Sequence, residues 1–306
     1  MNSILNRNSP RLGQAAILFS AVLWSTGGLF IKLINWDPIV IAGVRSLIAG
    51  LFMLAVRLLP SGKRRAPFKL RYLWGGGLAY SITMLLFVPA NKLTTSANAI
   101  LLQYSAPVWA ALLGWILAKE KPKLVNWVSL AMVIGGLCLF FKDGLEGGSF
   151  AGNILALLSG ICFAANSVLL RIQKDGDPAD ALILAHFLTF IVCIPVIFIR
   201  PPALTVANAA YILFLGIIQL GVASLLFAYG IKRVTAVQAM LTAAIEPILN
   251  PVWVLLVTGE KPSFVAVIGG AIIIAAVLVS AMDFSNKAAG AKKQRIDNSP
   301  DQPDTV

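Results

Sequence analysis

Thr242, Glu246 and Asn250 recur every four residues, so on a helix they share one face. Pro247 and Pro251 lie on the same stretch, and a proline leaves the carbonyl one turn back without its usual donor. A carboxylate, an amide and free carbonyls along one face can hold an ammonium group. A carboxyl group shielded from water also favours its neutral form, so Glu246 can instead take up a proton. It can equally serve as a structural partner for another helix, with Arg45 as the obvious cation. Arg45 lies seven residues past Pro38, about 10 Å along a helix axis. It can pair with a carboxylate, act at a gate, snorkel to the nearer surface, or bind the carboxylate of a substrate. His186 is the only histidine; it is either a hydrogen-bonded packing residue or part of a proton relay. No metal-ligand spacing, nucleophile–base pair or phosphate loop accompanies these residues, so no metal or cofactor is expected. The glycine runs Gly75-Gly76-Gly77, Gly135-Gly136 and Gly269-Gly270 fit close helix packing instead.

The elements that must position these groups follow from composition. Of 306 residues, 58% are hydrophobic and only 12% charged, and the mean hydropathy is +0.83. A soluble domain holds about 45–50% apolar and about 25% charged residues. The apolar residues fall into blocks long enough to cross about 30 Å of hydrocarbon as helices. Ten spans are expected, at 12–34, 38–59, 70–91, 94–118, 124–141, 150–170, 179–199, 207–230, 234–257 and 263–283. Residues 1–11 form a short N-terminal tail, and 284–306, rich in charge, Asn, Ser and Pro, is expected to be disordered. Arg7 and Arg11 before an apolar run imitate a signal peptide. The run continues to Ile34 without a small-residue cleavage site, which makes it a first span. Cys138, Cys162 and Cys193 all lie inside apolar blocks and form no disulfide framework.

With an even number of spans both termini share a side. Placing them in the cytoplasm puts nineteen Lys and Arg inside and five outside, with Arg45 within a span. Such a bias sets topology, N-in and C-in. It also accounts for the net charge of +12 as topology signal and contact with anionic lipid. No nucleic-acid partner is expected.

The two halves resemble each other. Gly13-Gln-Ala-Ala-Ile-Leu matches Gly152-Asn-Ile-Leu-Ala-Leu, and Lys32 falls opposite Arg171. Asp37-Pro38 recurs as Asp177-Pro178, Pro107 as Pro247, and Glu120-Lys121-Pro122 as Glu260-Lys261-Pro262, always 139–140 residues apart. Five spans per half is odd, so the second half enters the membrane upside down. The basic connection after the second span of half one has as its counterpart a connection between Ile199 and Val206 holding only Arg200, in keeping with that inversion. Two halves of opposite orientation can exchange conformations around a site near the midplane, which is the mechanics of a carrier. The other classes are a channel, an intramembrane enzyme, for which Glu246 and His186 sit on different helices, and a duplication serving only as scaffold.

Together these residues resemble the EamA-like family of the drug/metabolite transporter superfamily over roughly 13–283. The resemblance rests on Leu23-Trp24-Ser25-Thr26-Gly27-Gly28 with Lys32, on Pro38 and Arg45, on Ala106-Pro107-Val108 with Glu120, and on Glu246-Pro247 and Gly259-Glu260. It implies an all-α polytopic membrane protein of ten transmembrane helices in two inverted five-helix repeats, 12–141 and 150–283. It also implies a central cavity and transport of small metabolites, often amino acids and commonly outward, across the cell (inner) membrane. The helices that line the centre in that family carry Trp24, Ser25, Tyr80, Thr83, Asn98, Gln103, Tyr104, Asn166, Gln219, Thr242, Glu246 and Asn250 here. They suggest a mixed aromatic and polar cavity suited to a small zwitterion or amphiphile, with Glu246, Arg45 and His186 as coupling or gating groups and protons as a coupling ion. Two departures stand out: Lys119 occupies a position where a glycine like Gly259 is usual, and Ala185 and His186 fall where half two would match Arg45.

Overall fold

The computed structural model describes residues 9–59, 69–94, 96–140, 149–258, 264–265 and 267–279. The tails, the basic connection at 60–68 and Glu260-Lys261-Pro262 lie outside the described residues. Among the described residues, six helices are long and apolar enough to cross a membrane: α1 (Pro10–Leu33), α2 (Pro38–Leu58), α3 (Leu70–Leu93), α7 (Phe150–Ile172), α8 (Pro178–Ile199) and α9 (Val206–Ile231). Shorter helices complete the set: α4 (Ser96–Gln103), α5 (Ala106–Ala118), α6 (Leu124–Phe140), α10 (Ala236–Ala243), α11 (Glu246–Thr258) and α12 (Val267–Val279). Large apolar side chains such as Phe19, Leu51, Ile116, Ile191 and Phe198 stay exposed. In a polytopic membrane protein that surface faces lipid rather than water.

The expected span 94–118 is not continuous. It breaks at Tyr104 and Ser105 between α4 and α5, and 234–257 breaks likewise at Ala244 and Ile245 between α10 and α11. The cause is proline two residues beyond each break. Pro107 and Pro247 lack the N–H of the regular ladder, and the ring crowds the carbonyl four residues back. At both sites the chain substitutes a tighter bond, Val108 N–H to Ser105 O at 3.0 Å and Ile248 N–H to Ile245 O at 3.2 Å. The two bonds are 140 residues apart, the same spacing as the sequence repeat.

The first span also departs from a straight helix. At Thr26 α1 makes a turn, where the Ser25 hydroxyl donates to Val22 O (2.6 Å) and the Thr26 hydroxyl to Leu23 O (2.7 Å). Hydroxyls bonding the preceding turn compete with the helical ladder, and Gly27-Gly28 follow with little propensity to restore it. In α9 the backbone widens into π-helical turns over Leu215–Val222.

Polar groups tie the helix ends together. Asp37 and Asp177 cap α2 and α8, accepting from Ile39 N–H and Ala179 N–H. The two helices run antiparallel. Asp37 pairs with Arg200 (2.6 Å) at one end, and Arg57 pairs with Asp180 (2.7 Å) and Asp177 (3.6 Å) at the other. Glu120 binds Arg171 (2.8 Å), which also donates to Lys232 O (2.8 Å). Small residues let the helices meet closely, as expected from the glycine runs. A Cβ on Gly77 would lie 3.2 Å from Ala181 O, and one on Gly136 would lie 2.9 Å from Gly269 O. Gly135 differs, since nothing lies within 4 Å of the position its Cβ would take.

Lys119, out of place for the family pattern, has a physical cost. It ends α5 in the left-handed conformation (φ 55°) and lets the Glu120 N–H reach Gly114 O at 3.1 Å. A side chain in that conformation costs about 1–2 kcal/mol that glycine avoids. Lys119→Gly is therefore expected to stabilise the detergent-solubilised protein by about 1 kcal/mol, after the greater entropy of unfolded glycine is subtracted. An upward shift in melting temperature checks it, and no shift would count against the strain.

Candidate functional site

The broken and widened helices converge on one buried cavity. Trp24 on α1, Arg45 on α2, and Tyr80, Thr83, Met84 and Phe87 on α3 form one side of its lining. Gln103 at the end of α4, Phe163 on α7, Gln219 and Leu220 in the widened part of α9, and Glu246 at the start of α11 form the rest. Space open to the centres of water molecules is about 40 Å³, room for about three waters at roughly 10–15 Å³ each.

The guanidinium and the carboxyl group of this lining do not pair with each other. Arg45 is 1% exposed. Its Nη2 donates to Met84 Sδ at 3.4 Å, and its Nε has no partner. Glu246 is buried and met by Tyr104, whose hydroxyl oxygen lies 2.8 Å from Glu246 Oε2 and 2.5 Å from the Ala243 carbonyl. Ala243 is four residues before Pro247, so Tyr104 satisfies the very carbonyl that the proline orphans. The pairing of Glu246 with Arg45, one of the roles open to it from sequence, is not formed. Both groups instead face the same space, able to take an anionic group on one side and a cationic group or proton on the other.

Of the residues singled out by sequence, Trp24, Tyr80, Thr83, Gln103, Gln219, Glu246 and Arg45 come together at the cavity. Others stand behind it. Ser25 accepts from Trp253 Nε1 at 2.8 Å. Asn98 donates to Thr94 Oγ1. Thr242 is buried off the cavity. Asn166 is fully buried with neither amide atom bonded, and His186 likewise, its ring edge-on to Tyr80 at 5.6 Å. The side chain of Asn250 lies outside the described residues. The elements explain these placements. Gln219 lies in the widened part of α9 and donates from Nε2 to Trp24 O at 3.3 Å, at the α1 turn. Gln103 Nε2 donates to Ser159 Oγ at 2.8 Å, which seats the end of α4 on α7. Met84, Phe87, Phe163 and Leu220 were missed. For Phe163 a signal existed: the 139-residue spacing that relates Gly13 to Gly152 sets it opposite Trp24, and the two rings meet edge-on at 5.6 Å.

Two proline-broken helices one repeat apart thus meet at this cavity, among described residues that are otherwise helical. The model of the EamA-like transporter family matches residues 11–142 and again 150–282. The chain belongs to the EamA-like transporter family. It is thus a member of the drug/metabolite transporter superfamily and a membrane transporter. An archaeal relative from Archaeoglobus fulgidus, named an uncharacterized transporter, is 28% identical over 281 residues, covering 88% of this chain and 96% of its own. The Escherichia coli K12 protein named uncharacterized inner membrane transporter YedA is 28% identical over 169 residues, 52% of each chain. A crystal structure superposes with a TM-score of 0.73 at 19% identity, covering 90% of this chain and 98% of that one. At that identity it speaks to the fold alone.

Proposed function

We propose that this EamA-like transporter is a secondary carrier of small zwitterionic or amphiphilic metabolites, amino acids and their relatives foremost, that exports them by alternating access. The observation that carries this is a cavity lined by a buried guanidinium and a buried carboxyl that leave each other unpaired. A zwitterion satisfies both at once: its carboxylate meets Arg45, its ammonium meets Glu246, and the rings of Trp24, Tyr80 and Phe163 take its apolar part. Buried unpaired charge is costly unless something occupies it.

Alternating access rests on ten spans in two inverted repeats, 12–141 and 150–283, with both termini cytoplasmic in the cell membrane. The ion pairs of α2 and α8 support that symmetry. Exchanging the two halves carries Asp37 onto Asp177, and each of these caps meets an arginine from the far end of the other helix, Arg200 and Arg57, which stand three residues out of the 140-residue register. The charge bias of the connections supports the orientation, and a proton on Glu246 is the coupling ion in this reading. A space for about three waters then belongs to a closed-down conformation, which must widen to admit substrate.

The test is a metabolite panel in proteoliposomes, with and without a pH gradient. Saturable counterflow of at least one zwitterion, accelerated by the gradient in the wild type and indifferent to it in Glu246→Gln, is the expected outcome. Unsaturable flux with ion currents would make the protein a channel. Gradient dependence that survives Glu246→Gln would remove Glu246 from coupling.

A further inference from the structure

The contact of Tyr104 with Glu246 and Ala243 contains one hydrogen too few. Tyr104 Oη lies 2.5 Å from the Ala243 carbonyl oxygen and 2.8 Å from Glu246 Oε2, both full hydrogen-bond distances for oxygen pairs. A phenol has a single hydrogen to donate, and neither a carbonyl nor a carboxylate has any. If the hydrogen serves Ala243, a bare Glu246 carboxylate faces the Tyr104 oxygen across 2.8 Å, lone pair to lone pair. If it serves Glu246, the carbonyl orphaned by Pro247 is left buried without a donor, at a cost of about 1–3 kcal/mol. One extra proton on Glu246 settles both contacts: Glu246 donates to Tyr104, and Tyr104 donates to Ala243.

From this we infer that Tyr104 is a positioning residue that couples the protonation of Glu246 to the break between α10 and α11. Protonated, the chain Glu246 to Tyr104 to Ala243 is complete and pins the two broken helices together, because Tyr104 itself sits at the break between α4 and α5. When the proton leaves, the carboxylate claims the phenol hydrogen, since charge-assisted bonds outcompete neutral ones. The Ala243 carbonyl is then released and the crossing of the two breaks loosens. The only covalent change is one proton leaving a Glu246 oxygen, with the phenol hydrogen turning from one acceptor to the other. Among the described residues, the other ionisable groups lining the cavity are Arg45 from α2 and Tyr80 from α3; His186 on α8 lies behind Tyr80. Arg45 makes no ion pair with Glu246, so the switch answers to the proton and to whatever cation displaces it.

This inference deepens the proton-coupled reading and rests on it, but its test needs no substrate. The full-length protein in liposomes is titrated with pH while infrared difference spectra record protonated carboxyl groups. Hydrogen exchange at 244–249, corrected for the intrinsic pH dependence of exchange, is followed in parallel. In the wild type a carboxyl band absent from Glu246→Gln is expected to vanish as pH rises, and protection at 244–249 to fall at least tenfold over the same interval. In Glu246→Gln the amide donates to Tyr104 as the protonated acid does, so protection stays high at every pH. In Tyr104→Phe the band persists at a shifted frequency, and protection is low and independent of pH. No band assignable to Glu246 at any pH, or protection that still follows pH in Tyr104→Phe, overturns the inference. Should Tyr104→Phe not fold, pH-dependent protection in Glu246→Gln overturns it alone. Absence of zwitterion counterflow would sink the carrier reading without touching these spectra.

Discussion

Arg45→Met is expected to make the protein more stable and to abolish transport. Arg45 is the largest of the fully buried side chains among the described residues. It occupies a low-dielectric site with one sulfur contact, at 3.4 Å, and an unbonded Nε. Replacing buried charge by an apolar side chain of similar length is often neutral or stabilising, by about 1–4 kcal/mol. Methionine fits the same path, and its flexible thioether packs readily beside Met84. A residue kept for architecture would behave in the opposite way, since removing a satisfied structural cation costs stability. If Arg45 instead holds the substrate carboxylate, its loss strands that charge in the cavity. Truncating one member of a buried charge pair costs roughly 2–5 kcal/mol, equivalent to about 30- to 4,000-fold in affinity. Thermal melting in detergent and counterflow in liposomes, run on the same preparation, decide between the roles. A lower melting temperature with flux retained would make Arg45 structural and would empty the zwitterion proposal of its anion site.

The parts of this protein legible in its sequence are those governed by the bilayer. The apolar blocks had to be helices of span length because lipid offers the backbone no partners, and the six long ones appear close to their expected limits. What the pattern concealed was backbone irregularity. Pro107 and Pro247 were visible as a repeated pair, yet the spans around them read as continuous, because hydropathy does not register a two-residue break. The turn at Thr26 was hidden in plain residues: Ser25 counted as possible cavity lining, whereas its hydroxyl and that of Thr26 bond the turn behind them. The π-helical stretch of α9 leaves no mark in composition, so the widened backbone that carries Gln219 could not be read. Residue type also fails to say which polar side chains reach a cavity. Gln103 lines it and Asn166 does not, although both are buried amides on central helices. Tyr104 is the sharpest case. As a polar aromatic it suggested substrate contact, but its partners are a carboxyl group and a carbonyl 139–142 residues away in sequence, and only tertiary geometry brings them together.

Gly160→Val is expected to cost more stability than any surface change, because the broken turn between α4 and α5 is seated on this one glycine of α7. A Cβ at position 160 would lie 2.6 Å from the Gln103 carbonyl oxygen and 3.0 Å from Ser105 Oγ. The carbonyl belongs to backbone, so it cannot swing aside as a side-chain end would. It is also the one that Pro107 deprives of its helical donor, four residues on. Its neighbour Ser159 receives the Gln103 amide at 2.8 Å, so Ser159 and Gly160 together form a flat cradle for the break. Alanine alone already forces α4 or α7 to shift, at about 1–3 kcal/mol for overpacking of this kind. Valine adds two methyl groups and should exceed about 3 kcal/mol, in the range where single substitutions empty the folded state. The control lies in the same fold: Gly135→Ala, on α6, meets nothing within 4 Å and should be neutral or gain up to about 1 kcal/mol from helix propensity. Folded yield and melting temperature of the three variants separate the two sites. A Gly160→Ala protein as stable as Gly135→Ala would mean that the break does not rest on α7. The Gln103 side of the cavity would then be free to move without α7, and Tyr104, next in the chain, would lose the fixed seat from which it reaches Glu246.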